Sequence, residues 1–283
     1  MSDFELLAAR EQVPLDNAPF HQWTSGETVL ITFHRTPAGY LLRFPGIADF
    51  EIEVEKYKVL CTPVLEVPPA TCDHIYLNQV LPLLLARSGE LVLHGSGVVV
   101  EGKAVVFVGE SGCGKSTLAA AFSVDGQPFL SDDTLVLRPS ADGYTVMPGH
   151  PSIRLWEDSH EALLPLKSSV APAVYYTSKA RFLAGETLEY FDRPAVLRCA
   201  YFLGDSGFAD IQIRQIGPSD AVAIMLKHSF ILDIQDRQLL ASQFDKIAKI
   251  VDAIDCYRLD YPRCYARLDE LKECIRDHAE TIG

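Results

Sequence analysis

Residues 109–117 read Gly109-Glu110-Ser111-Gly112-Cys113-Gly114-Lys115-Ser116-Thr117, a complete G-x-x-x-x-G-K-[ST] phosphate-binding loop. The apolar run Ala104-Val105-Val106-Phe107-Val108 leads into it, and Leu118-Ala119-Ala120-Ala121-Phe122 leads out. The spacing predicts a strand, a tight turn and a helix, the context this motif requires. Glycines let the turn curl so that several N–H groups converge on one hollow. The helix that follows adds the positive end of its dipole. In such a loop Lys115 reaches the β- and γ-phosphates, and the Ser116 hydroxyl is a ligand for Mg²⁺.

Working outward, the next acids downstream are Asp132-Asp133, behind the short apolar stretch Pro128-Phe129-Leu130-Ser131. The interval from Thr117 suits one helix, one turn and one strand. The pair is therefore expected at the end of the strand beside the loop. One carboxylate there can hold Mg²⁺, directly or through water, and the other can face an acceptor hydroxyl. Two alternative machines lack their marks. No Leu-Ser-Gly-Gly-Gln-like segment or distant strand ending in Asp-Glu supports a transporter ATPase, and no Asn-Lys-x-Asp motif supports a GTPase.

Composition bounds the rest. The chain has 283 residues, 48% hydrophobic and 22% charged, with a net charge of −13. That is ordinary globular material, and its acidity argues against a nucleic-acid partner. Seven cysteines at irregular spacing, without a C-x-x-C pair, support neither a zinc site nor a disulfide framework and fit a reducing cytoplasmic setting. The acidic start Met1-Ser2-Asp3-Phe4-Glu5 is unlike a signal peptide, and no apolar stretch is long enough to suggest a membrane span.

The pattern predicts an α/β protein with a mixed sheet and a small, mainly β N-terminal module. Residues 1–70 are read as that module and 71–283 as the catalytic domain. Strands are expected at 28–33, 40–44 and 50–54, with a connector over 62–70. A helix is expected over 73–88, and a hairpin from 91–100 and 104–108. Residues 153–156 read as a short strand, 157–164 as a helix and 167–190 as loop. Residues 196–203 and 211–216 are expected to pair as strands. Helices are expected over 221–230, 236–254 and 268–278, with a strand at 256–260.

Leu93-His94-Gly95-Ser96-Gly97-Val98, then 106–117, then Phe129-Leu130-Ser131-Asp132-Asp133 together resemble the catalytic domain of the bacterial HPr kinase/phosphorylase family. Closer still are the short HPr-kinase-like proteins, including lasso-peptide cluster kinases that phosphorylate a precursor peptide's C-terminal serine. They share features like Pro148-Gly149-His150-Pro151, Arg154-Leu155-Trp156, Lys227-His228-Ser229-Phe230 and Leu259-Asp260-Tyr261-Pro262. The resemblance implies a Mg²⁺·ATP-dependent serine kinase acting on a peptide or small protein. It implies Asp132 as general base, Asp133 with Ser116 at Mg²⁺, and His94 near the γ-phosphate. It also leaves room for a homo-oligomer, which no residue pattern encodes. The chain departs at Thr117, where the family usually has Glu. The family's Leu-Glu-Ile-Arg-Gly signature is only echoed by Ser152-Ile153-Arg154-Leu155-Trp156, which turns the reading away from HPr itself as acceptor.

Other residues admit two readings each. His94 is either catalytic or a packed core histidine. Arg154, His150, Lys179 and Arg181 are candidate substrate contacts, or a surface arginine, a turn histidine and solvated loop charges. Trp156 is read as a packing anchor, and His228 and Ser229 as helix residues. A small-molecule kinase and a non-catalytic nucleotide-binding regulator remain the competing functions.

Overall fold

In a computed structural model, the residues described are 3–164, 170, 171, 174, 179–204 and 207–282. The chain divides into two compact units, one built mainly of residues 1–81, the other of residues 82–172 and 178–283.

The first unit holds a six-stranded sheet. Its strands are β1 (Asp3–Leu6), β2 (His21–Ser25), β3 (Thr28–Thr36), β4 (Gly39–Phe44), β5 (Ala48–Glu53) and β6 (Lys58–Pro63). The order is β1-β6-β5-β4-β3-β2, antiparallel except for the parallel β1–β6 pair. Phe33, Leu42, Phe50 and Val59 are fully buried. Arg43 and Asp49 face each other across β4 and β5, joined by two hydrogen bonds of 2.8 and 2.7 Å. β6 and α1 (Pro69–Ile75) take the two ends of what reads as a connector, which leaves 64–68 between them. A π-helical turn, Tyr76–Val80, follows, and α2 (Leu81–Arg87) completes the helical run.

The second unit is built on a nine-stranded mixed sheet with helices on both faces. Its strands include β7 (Leu91–Leu93), β8 (Gly95–Val100) and β9 (Lys103–Val108), followed by the helix α3 (Lys115–Val124). β10 (Phe129–Ser131), β11 (Leu135–Ser140) and β12 (Gly143–Met147) come next. A separate hairpin pairs β13 (Ser152–Leu155) with β14 (Ala180–Leu183), with α4 (Glu157–Leu163) between them in sequence. β15 (Ala195–Leu203), β16 (Gln212–Gln215), α5 (Pro218–Lys227), α6 (Arg237–Ala253), β17 (Asp255–Asp260) and α7 (Leu268–Thr281) complete it.

The loop strand β9 runs parallel to β15, which runs parallel to β17. Such strands are covered on both faces, so they read as unbroken apolar runs. Alternate residues serve opposite cores. Val105 and Phe107 pack with Leu118 and Phe122 of α3 and Ile275 of α7. Ala104, Val106 and Val108 pack with Met225 of α5 and Ile247 of α6. Full burial of a side chain such as Phe107 stabilises by about 1.5–3 kcal/mol.

Three expectations are corrected. Residues 91–100 are two strands: β7 pairs with β11 and β8 with β9. The chain steps between partners at His94, where Gly95 is obligatory because a Cβ would lie 2.6 Å from the Phe107 carbonyl. β16 pairs with β17 and not with β15. β10 is not beside the loop strand, since β8 lies between them. The last two are long-range pairings, which local periodicity does not encode. Of the segment read as loop at 167–190, residues 167–169, 172, 173 and 175–178 lie outside the described residues, and β14 occupies part of the remainder.

Candidate functional site

β9 delivers the loop to the edge of a cleft of about 240 Å³. Gly112 and Gly114 adopt left-handed backbone, with φ of +80° and +96°, which glycine enters without steric penalty. A Cβ at Gly112 would meet nothing within 4 Å, whereas one at Gly114 would lie 2.6 Å from the Tyr261 hydroxyl. Gly114 is the N-cap of α3 and supplies no side-chain cap, so the first N–H groups of α3 are left for a ligand.

The loop is held from behind. The Tyr261 hydroxyl donates to the Cys113 carbonyl at 3.1 Å. Arg263 donates to the carbonyls of Gly112 and Gly204 at 3.1 and 2.9 Å. Cys113 Sγ donates to the Glu110 carbonyl at 2.8 Å, and burial raises its thiol pKa. Glu110 pairs with Lys227 at the surface. Lys115 Nζ donates to the carbonyls of Gly109 and Glu110, each at 2.8 Å. Burial lowers its pKa.

Asp132 and Asp133 follow β10 and turn to different environments. Asp132 Oδ1 accepts from Ser96 Oγ at 2.6 Å and Oδ2 from the Arg154 N–H at 3.0 Å. Burial, then the neighbouring Asp133, raises its pKa, against hydrogen bonds from Ser96, Arg154 N–H and Ser116. Asp133 adopts φ of +63° and forms an ion pair with the Arg154 guanidinium. Burial pushes its pKa up, but Arg154 outweighs this and holds the carboxyl well below the usual range.

His94 Nδ1 lies 3.0 Å from the Asp133 carbonyl. A carbonyl only accepts, so Nδ1 carries the proton and Nε2 keeps its lone pair. Burial, then the Lys115 charge, lowers the imidazole to about 4, so it is neutral at neutral pH. This excludes neither reading of the residue: His94 is buried, and it also lines the cleft.

The cleft brings together His94, Ser111, Gly112, Gly114, Lys115, Ser116, Thr117, Asp133, Arg154 and Lys179. Asp132 sits behind this wall, tied to it through Ser116 and Arg154. His150 and Arg181 are not on it. His150 Nδ1 lies 2.9 Å from Ser152 Oγ, and Arg181 stands opposite Arg154 in the β13–β14 register. Two further readings are corrected. Trp156 is not a packing anchor: it is 44% exposed on the cleft wall, with Lys179 Nζ 5.4 Å from its ring centroid. His228 and Ser229 lie beyond α5, whose last residue is Lys227. The His228 carbonyl accepts from the His94 N–H at 2.7 Å.

Sequence reasoning did not single out Ser96, Asp158, Ser159, Arg263, Tyr265 or Leu268. Ser96 stood inside the quoted His94-Gly95-Ser96 string, two residues from His94. The others arrive from α4 and the β17–α7 connection and carry no local signal.

A triphosphate fits this donor set, because open amides, a helix N-terminus and Lys115 share one wall. Among the described residues no group of three or more His, Cys, Asp or Glu side chains could hold a metal alone. The oxygens of Ser116 and the acids suit a Mg²⁺ ion that takes its remaining ligands from phosphate and water.

No family model matches the chain, and no curated protein matches it. A solved structure of the HPr(Ser) kinase/phosphatase from Coxiella burnetii covers 66% of this chain and 95% of its own, at 12% identity and a TM-score of 0.36. A likeness that weak carries no argument about activity. Among the described residues, no helix is long and apolar enough to cross a membrane.

Proposed function

We propose that the protein is a Mg²⁺·ATP-dependent kinase that transfers the γ-phosphoryl group to a serine hydroxyl of a peptide or small protein. The observation that carries this reading is the shared cleft: Asp133, Arg154 and His94 face the same hollow as Lys115 and the open start of α3. Ser116 and the acids beside it would hold Mg²⁺, which would supply charge neutralisation to the phosphates. The chain's own residues do the rest. Loop amides and Lys115 hold the phosphate chain in line. Ser116, hydrogen-bonded to Asp132, would be a ligand for that ion. Asp133 is the better placed of the two acids to meet the acceptor hydroxyl, because it lines the cleft while both Asp132 oxygens are engaged. Held ionised by Arg154 it is a weak base, so it orients the hydroxyl and takes its proton only late in the transfer. This reverses the order of roles that the resemblance implies. His94 Nε2 offers a second acceptor on the same wall.

The preferred acceptor is the C-terminal serine of a lasso-type precursor peptide. Lys179 on the cleft wall suits a carboxylate next to the reacting hydroxyl, the Arg154 guanidinium being engaged by Asp133. The test incubates the full chain with γ-labelled ATP and Mg²⁺ and three acceptors: peptides ending in serine, their C-terminal amides, and a small-molecule extract. Label on the free-acid peptides, lost in Asp133→Asn, supports the proposal. Label confined to the extract would replace it with a small-molecule kinase. ADP formed without any labelled acceptor would remove the kinase reading.

A further inference from the structure

The cleft has a second end that phosphate chemistry does not use. Its chemical end is fixed by Asp133, His94 and Lys115. A phosphate chain laid over the loop with its terminal group there must carry its nucleoside away from Asp133, along the first turn of α3. That direction leads past Thr117 and Leu118. Thr117 Oγ1 lies 3.1 Å from Ser159 Oγ, which lies 2.9 Å from the Tyr265 hydroxyl. Tyr265 also donates to Asp158 Oδ2 at 2.8 Å. Its hydroxyl is thus anchored by two hydrogen bonds while the residue stays 41% exposed on the cleft wall. Trp156, just before α4, adds a second aromatic at 44% exposure, and Leu268 supplies an apolar neighbour.

Apolar residues exposed singly are ordinary, but two aromatics and a leucine lining one cleft mark a ligand-binding wall. Here both aromatics belong to the cleft that holds the phosphate loop, and each offers an aromatic face to a planar ligand. We propose that the purine of the bound nucleotide packs at this aromatic end, against Tyr265 and Trp156. The inference rests on the nucleotide reading above and names the part of the cleft that takes the base.

The experiment measures binding, not turnover. Calorimetric titrations with Mg²⁺ compare ATP with inorganic tripolyphosphate, which carries the phosphates but no base, for the wild type, Tyr265→Leu, Trp156→Leu and Tyr265→Phe. Tyr265→Leu and Trp156→Leu are each expected to weaken ATP about tenfold, the scale of one lost aromatic stack, and to leave tripolyphosphate unchanged. Tyr265→Phe keeps the ring and is expected to stay close to wild type, which separates stacking from the Asp158 hydrogen bond. An equal loss for both ligands, or no loss for ATP, overturns the subsite. A variant that binds ATP normally but raises the KM of the acceptor peptide would assign the aromatic wall to the acceptor and overturn it as well. Failure of the wild type to bind tripolyphosphate would instead sink the phosphate-loop reading itself. Thermal unfolding of each variant shows whether a loss is local.

Discussion

Arg154→Met removes the guanidinium from Asp133 while keeping the side chain's length and the backbone N–H that serves Asp132. The Arg154 and Asp133 side chains are 12% and 6% exposed, so water and salt screen them little. Removing one member of such a pair strands a buried charge and destabilises by about 3–5 kcal/mol. The sign of the pH dependence follows from the direction of the Asp133 shift. In the wild type the folded pKa lies below the ordinary 3.8. Its contribution is therefore present above that value and is lost only in stronger acid, as pH falls through the folded pKa. Without Arg154, burial dominates and raises the folded pKa instead. The carboxyl then takes up a proton as pH falls, and the penalty shrinks by about 1.4 kcal/mol per pH unit while it titrates. Urea unfolding of the wild type, Arg154→Met, Asp133→Asn and the double variant, at pH 7.5 and 5.5, reads this directly. The gap between the wild type and Arg154→Met is expected to be larger at pH 7.5. The double variant is expected to be more stable than Arg154→Met alone, since Asn leaves no charge to strand. A gap of equal size at both pH values, or strictly additive losses, would refute the account.

Lys115→Ala is expected to lower kcat/KM for phosphoryl transfer by about 10²–10³-fold with the fold retained, measured by ADP release alongside a melting curve. His94 is expected to remain neutral, with the proton on Nδ1, down to about pH 4. Because the fold opposes its protonation, it contributes a loss of stability as pH falls from 6.5 toward that value. Imidazole ¹⁵N shifts check the tautomer, and a pH series of melting temperatures for His94→Gln checks the loss. Gly112→Ala introduces only left-handed strain, on the order of 1–2 kcal/mol, because space is open around it. Gly114→Ala adds a collision with the Tyr261 hydroxyl and is expected to unfold at clearly lower temperature than Gly112→Ala.

The sequence made the phosphate loop and its setting legible because both are local. A strand buried on both faces, glycines at forced turns and a helix opened without a cap all fall within about twenty consecutive residues. The N-terminal strands β3, β4 and β5 were readable for the same reason, since each is a short apolar run bounded by turn residues and β5 adds its own alternation. What was not legible depends on partners far along the chain. Nothing in Phe129-Leu130-Ser131 says that β8 separates it from β9, and nothing near Ile213 says that its neighbour is Leu259. The cleft's far wall is the extreme case. Tyr265 reaches Asp158 and Ser159 across more than a hundred residues, and Trp156 looks like core material until its exposure is known.

The geometry of the acid pair shows why adjacent residues were needed there. In a regular strand, successive side chains point to opposite faces, so two consecutive acids would not meet one partner. Here the chain leaves β10 in a tight turn. The Thr134 N–H donates to the Asp132 carbonyl at 2.8 Å, Ser131 Oγ reaches the Thr134 carbonyl, and Asp133 takes positive φ. Asp tolerates that conformation better than most side chains, through local hydrogen bonding. The turn lets a single residue hold both acids: Arg154 donates its backbone N–H to Asp132 and its guanidinium to Asp133. Asp132 is thereby fixed toward Ser116 and Asp133 toward the open cleft. Strain in one residue is offset by an ion pair and converts a strand end into two carboxylates of different basicity, one kept ionised by Arg154 and the other driven toward its protonated form by burial.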